Sequence, residues 1–268
     1  MLTHLDSGLP FLNIGGEARV LACLPTPAEL VTGMKVAALP PVPQSEWREM
    51  SLRFLAADVY DQNGQGSCGG HGTVAAYSIS RHVAGMRHQR LSPCFVYGNV
   101  NGGSDRGSAI GDLAQELAGK GTCLESTVGP KQIWARYYSQ AAYQEALRFR
   151  AARVEAIQGD LFAGIAASLL ENQPVVFGVN VGRSFDPDAR GVIPDAAGGG
   201  GGHCMAAIGL KQIGGKWYIE TQNSWGHQWG QEGFCYMPDS YFRGGWAEAF
   251  RILASVDDPQ EPDPLPTA

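Results

Sequence analysis

Long apolar runs, basic clusters and closely spaced cysteines are all missing from these 268 residues. No window approaches the ~18 consecutive apolar residues of a membrane span, so no membrane partner is expected. Met1-Leu2-Thr3-His4-Leu5-Asp6 offers neither a charged leader nor an apolar h-region, which argues against ordinary secretion and for a cytoplasmic location. The net charge of −6, with no Lys/Arg cluster to offset it, excludes the electrostatic footprint of a nucleic-acid partner. Six cysteines (Cys23, Cys68, Cys94, Cys123, Cys204, Cys235) lie too far apart for a zinc site or a small disulfide scaffold. Most are expected as reduced core residues, with a Cys94–Cys123 bridge left open. Gly119-Lys120-Gly121-Thr122 has the composition of a phosphate loop but not its residue order, so no nucleotide is expected. No cofactor and no metal follow from any of these segments.

What is present is enough for a core. A hydrophobic content of 44% over this length supports one large domain or two lobes. Residues 1–50, with Pro25, Pro27, Pro40, Pro41 and Pro43, read as extended pieces and turns forming an N-terminal extension or strap. Residues 51–255 carry helical signals first and strand signals later. Ser92 to Tyr97 can begin a helix, Ser108 can cap another through Ile110, Leu113 and Leu117, and Leu161–Leu170 reads as a further one. Val154–Ile157 and Pro174–Val181 read as strands. Between strands, Ser184–Gly202 is a long loop ending in five glycines, either a flap beside a cleft or a slack connection. The acidic, proline-rich residues 256–268 are expected to be disordered. Segregated helices and strands suit an α+β protein of two lobes.

The chemistry is concentrated in Asp61-Gln62-Asn63-Gly64-Gln65-Gly66-Ser67-Cys68-Gly69-Gly70-His71-Gly72, which runs into helical spacing from Thr73 to Val83. Cys68 then sits at a helix N-terminus, where free amides and the macrodipole favour a thiolate. Of six histidines, His203 has the most suitable setting. It opens the apolar run Cys204–Leu210, which a Gly214-Gly215 turn joins to Lys216–Gln222, so a hairpin can carry Asn223 back alongside His203. Cys68, His203 and Asn223 form a Cys-His-Asn constellation, with Gln62 supplying a side-chain N–H to an oxyanion hole. His71, one turn along the helix from Cys68, is a rival base, but it cannot also receive an orienting Asn from the hairpin.

Gln62 to Cys68, His203 before its strand, and Asn223-Ser224-Trp225-Gly226-His227-Gln228-Trp229-Gly230 resemble the active-site segments of papain-like cysteine peptidases, closest to the bacterial and phage members. That family places His and Asn about 130 to 150 residues after the cysteine; here 203 − 68 gives 135 and 223 − 68 gives 155. A second register, in which Cys68 is a half-cystine and His71 takes the nucleophile position, is set aside. Asp-Gln-Gly-x-x-Gly-Ser-Cys in bacterial and phage members puts Gln62 and Cys68 in the functional places. Gly69 stands where animal and plant members carry tryptophan.

The resemblance implies a papain-like fold, a helical lobe headed by Cys68 facing a sheet or barrel lobe that presents His203 and Asn223, with the site in the cleft between them. It implies a peptide or protein substrate and a cysteine endopeptidase acting through an acyl-enzyme. Acyl transfer on the same residues, or a weakly active scaffold, are the alternatives. It also implies that Trp225 covers the His203–Asn223 hydrogen bond. For residues 1–50 it leaves two readings, a short inhibitory piece or a strap packed on the domain.

Overall fold

The computed structural model describes residues 3–4, 9–14, 16–56, 58–196 and 200–254. The acidic tail, residues 256–268, lies outside these. The chain begins with an antiparallel three-stranded sheet, β1 (Thr3–His4), β2 (Pro10–Ile14) and β3 (Glu17–Val20). Strand β4 (Cys23–Leu24), helix α1 (Ala28–Gly33) and strands β5 (Lys35–Val36) and β6 (Met50–Ser51) follow. Next come helices α2 (Cys68–Val83) and α3 (Pro93–Val100), strand β7 (Ser108–Ala109), and helices α4 (Ile110–Gly119) and α5 (Gln140–Ala146). The remainder is β8 (Arg153–Ile157), α6 (Leu161–Leu170), β9 (Val175–Val181), β10 (Gly201–Ile213), β11 (Lys216–Gln222), β12 (Phe234–Pro238), α7 (Ser240–Arg243) and β13 (Ala247–Leu253).

One large sheet organises the molecule, in the order β12-β11-β10-β9-β13-β8-β5 with β6 also on β10. All its pairs are antiparallel except β5 on β8. Because side chains alternate along a strand, its central strands supply two cores. Cys204, Ala206 and Ile208 of β10, with Val176 of β9, pack beneath α2, α3 and α4. Met205, Ala207 and Leu210, with Val175, Phe177 and Val179, pack beneath α6. Such double burial explains why β9 reads as an almost unbroken apolar run.

The helix readings hold with one adjustment. Ser92 caps α3 by accepting from the Phe95 amide, and Asp160 caps α6 by accepting from Ala163. Ser108 is not a cap: it lies in β7, its main chain paired with Cys23, and α4 starts without a side-chain cap. The 184–202 loop is fastened over much of its length. Phe185 is buried and stacks on Trp229, and the Ile193 amide donates to the Tyr236 carbonyl. Residues 197–199 lie outside the described part.

Candidate active site

Helix α2 starts at Cys68 and is buried along its first two turns. Its glycines, which cost about 1 kcal/mol each relative to alanine in an isolated helix, have a packing reason. A Cβ on Gly72 would lie 2.7 Å from the Cys204 sulfur, so the bare backbone lets α2 settle on β10 immediately after His203. The hairpin delivers Asn223 as its spacing suggests: Gly214 and Gly215 turn at φ +58° and +80°, Ala206 pairs with Gln222, and Asn223 comes next.

His203 and Asn223 are joined by a 2.7 Å hydrogen bond between Nε2 and Oδ1. The Ser224 amide also donates to Oδ1, at 2.8 Å, which identifies that atom as the amide oxygen. Nε2 must therefore carry a proton and donate it. Nδ1 is left as the basic nitrogen, and it has no hydrogen-bond partner among the described residues. Trp225 stacks on the imidazole with ring centroids 4.7 Å apart, excluding water from the pair.

Gln62 is oriented by the same segment. Its Oε1 accepts from the Trp225 indole N–H at 3.2 Å and from the Ser224 hydroxyl at 3.0 Å. Indole nitrogen only donates, so the amide's NH2 must point the other way. One of its protons goes to the Gln65 carbonyl at 2.7 Å and the other to the Val20 carbonyl at 3.2 Å. Trp225 thus supports both His203 and Gln62, a double role that its sequence position does not reveal.

The Val20 contact places the N-terminal segment in the site. After β3 the chain passes Leu21 and Ala22 and pairs β4 in parallel with β7. Arg19 lies over Trp225, 5.6 Å from the ring centroid, and donates to the Trp225 carbonyl. The Ser108 amide donates to the Ala22 carbonyl at 3.2 Å. Thr26 gives both its amide and its hydroxyl proton to the Glu248 carboxylate, each at 2.9 Å. With this strap in place, Cys68 and His203 have no exposed surface.

Coverage reverses the ionisation expected from the helix terminus alone. Burial pushes the Cys68 thiol up to about 12, with nearby Cys23 acting in the same direction; amide N–H groups of Ala22, Cys204 and Gly69 favour the thiolate but do not prevail. Burial likewise pushes His203 down to about 4 against the opposing effect of Asn223. A dry cleft holds a neutral thiol and a neutral imidazole, because two separated charges there would lose their hydration.

The other candidates take structural places. His71 is buried, its Nδ1 hydrogen-bonded to the Ser67 carbonyl at 2.8 Å, and burial lowers it to about 4. All six cysteines are free, including Cys94 and Cys123.

A model of the papain family of cysteine proteases matches residues 42–244. The chain belongs to that family. Xylellain, a cysteine protease from Xylella fastidiosa, has the same fold, with a TM-score of 0.72 at 22% identity over 87% of this chain and 96% of its own. Ananain of Ananas comosus is 26% identical over 211 residues, 72% of this chain and 55% of ananain. A peptidase C1-like protein of Acanthamoeba polyphaga mimivirus is 27% identical over 222 residues, 74% of this chain and 70% of that protein. The chain therefore spans about half the length of ananain. Within this papain-like fold, the helical layer over α2 and the sheet bearing His203 are the two lobes expected from the sequence.

Proposed function

We propose that this chain is a cysteine endopeptidase held in a self-blocked state, with residues 51–255 as the catalytic domain and residues 1–50 as its removable cover. The observation that carries this reading is the Val20 carbonyl accepting from Gln62 while the Ala22 amide faces Cys68. A peptide main chain already lies where a peptide substrate would be attacked. Its parallel pairing with β7 fixes the direction in which the cover runs.

In the uncovered protein, water enters the cleft and the neutral pair becomes a Cys68 thiolate and a His203 imidazolium. The thiolate attacks the scissile carbonyl carbon. The Gln62 amide and the Cys68 backbone N–H stabilise the oxyanion, each such donor being worth roughly 2.7 to 4 kcal/mol. His203 protonates the leaving amine from Nδ1, and Asn223 holds Nε2–H so that the ring keeps its orientation. A water molecule deprotonated at Nδ1 then hydrolyses the thioester. The Asp61–Cys68 segment, together with a bacterial fold relative and a viral sequence relative, supports kinship with the bacterial and phage branch.

Purified chain lacking residues 1–38 should cleave a mixed peptide library, and its Cys68→Ala form should not. Transfer of the acyl group to an added amine in place of hydrolysis would move the reaction to acyl transfer. Absence of turnover with an unreactive Cys68 would leave a binding scaffold.

A further inference from the structure

Strand β10 carries a second thiol directly after His203. Cys204 faces α2, where its sulfur lies 3.9 Å from the Gly69 carbonyl. Opposite Cys204 in β9 is Gly178, and opposite Gly178 in β13 is Glu248. Cross-strand partners share one face of a sheet, with Cβ atoms about 4.5–5.5 Å apart. The row Cys204–Gly178–Glu248 therefore has a gap at its centre, where glycine has no side chain.

Cys23 of the strap enters that gap together with Trp246 and Ile110. Its sulfur lies 3.1 Å from the position a Gly178 Cβ would take. There it is the lateral neighbour of Cys204, close enough for each thiol to shift the other's proton affinity. Both are buried in the same core. The main chain around Cys23 is fixed on both sides, at Ala22 by Ser108 and at Thr26 by Glu248, so the thiol returns to one place each time the strap seats. Cys68 lies in the same core, so it is the competing partner that peptide mapping must separate from Cys204.

We propose that Cys23 and Cys204 form a reversible disulfide that fastens the strap in the cleft, making removal of the cover depend on reducing conditions. This rests on the reading of residues 1–50 as a cover. The oxidant is a low-molecular-weight disulfide, RSSR. When the strap lifts, the Cys23 thiolate attacks RSSR, forms a mixed disulfide and releases one thiol. As it returns, before the cleft closes to water, the Cys204 thiolate attacks the Cys23 sulfur and displaces the second RS−, which takes up the proton that Cys204 lost. Two protein thiols are oxidised and one RSSR is reduced to two RSH. Burial raises the proton affinity of both seated thiols, so exchange runs through the lifted strap.

The test uses the full chain carrying Cys68→Ala, which removes self-cleavage and the competing active-site thiol, incubated with excess hydroxyethyl disulfide. Non-reducing peptide mapping should recover Cys23 linked to Cys204. Hydrogen exchange at the Cys23 and Leu24 amides should slow by about tenfold or more on oxidation and return on reduction. Adding Cys23→Ala, or separately Cys204→Ala, should abolish that slowing. Recovery of Cys23 only as a mixed disulfide, or of a Cys23–Cys204 bond without slower exchange, would overturn the proposal. In otherwise wild-type chain, mapping should still give Cys23–Cys204; a Cys23–Cys68 bond in its place would also overturn it. The cover itself is tested separately by activity of reduced Cys23→Ala chain with and without residues 1–38. Equal activities would sink the blocking reading even if the bond is mapped.

Discussion

Gly202→Ala should uncover the active site without touching a proposed catalytic group. The new Cβ would lie 2.0 Å from the Cys23 carbonyl oxygen, whereas real Cβ contacts stay beyond 3.0 Å, so the strap must retreat by at least about 1 Å. Two neighbouring bonds have no slack for that movement: Ser108 N–H to the Ala22 carbonyl and Gln62 Nε2–H to the Val20 carbonyl are each already 3.2 Å long. Losing both, at ~0.5–1.5 kcal/mol each, shifts the balance towards the lifted strap by ~1–3 kcal/mol, or about 5- to 150-fold. Gly202 does not adopt a positive φ, so alanine introduces no backbone strain there, and the His203–Asn223 bond lies on the next residue's side chain. Iodoacetamide labelling of Cys68 at pH 7, read by peptide mapping, should accelerate within that range. An unchanged labelling rate in a folded Gly202→Ala protein would refute the claim that the strap controls access to Cys68.

Three further outcomes follow from the same geometry. In chain lacking residues 1–38, Asn223→Ala should lower kcat yet leave measurable turnover, because it misorients His203 without removing it; complete loss in steady-state peptide hydrolysis would contradict this. Gln62→Ala in the same background should reduce kcat by about 10²- to 10³-fold with a smaller change in KM, and an effect confined to KM would remove Gln62 from the oxyanion hole. Acid alone should not loosen the cover. The lowered His203, held near 4, would by itself weaken the covered state as pH falls from 6.5 towards 4, but the raised Cys68 thiol acts in the opposite sense: the covered pair and the uncovered thiolate–imidazolium pair each hold one proton, so uncovering takes none from solvent. Intact mass should therefore show the N-terminal fragment released to a similar extent at pH 5 and pH 7.5, and not from Cys68→Ala; release that rises about tenfold per pH unit on acidification would count against it.

The elements that position the site were legible wherever a local pattern coincided with the tertiary role. Helix α2 follows from its spacing after Ser67-Cys68, and the Gly214-Gly215 turn fixes the register that brings Asn223 to His203. The path of residues 9–26 was not legible. It has no helical or strand period of its own, and its position is set by distant groups: Gln62, Ser108, Glu248 and the side-chain-free Gly178 and Gly202. For the same reason Ser108 looked like a cap, since its pairing with Cys23 lies 85 residues back along the chain (108 − 23). The sign of the Cys68 shift was missed because helix-terminus reasoning assumes a hydrated thiol, and the strap removes the water. The double support that Trp225 gives to His203 and Gln62 needed coordinates, because nothing in a tryptophan's neighbours tells which amide its indole reaches.

The most direct test is to trap the intermediate. Chain freed of residues 1–38 would be mixed with an activated peptide ester, quenched in acid during turnover and mapped by mass spectrometry. The acyl group is expected as a thioester on the peptide containing Cys68, at a yield that grows when His203 or Asn223 is altered so that deacylation slows more than acylation, with no hydrolysis by Cys68→Ala. Hydrolysis that persists in Cys68→Ala, or an acyl group carried by any residue other than Cys68, would contradict it.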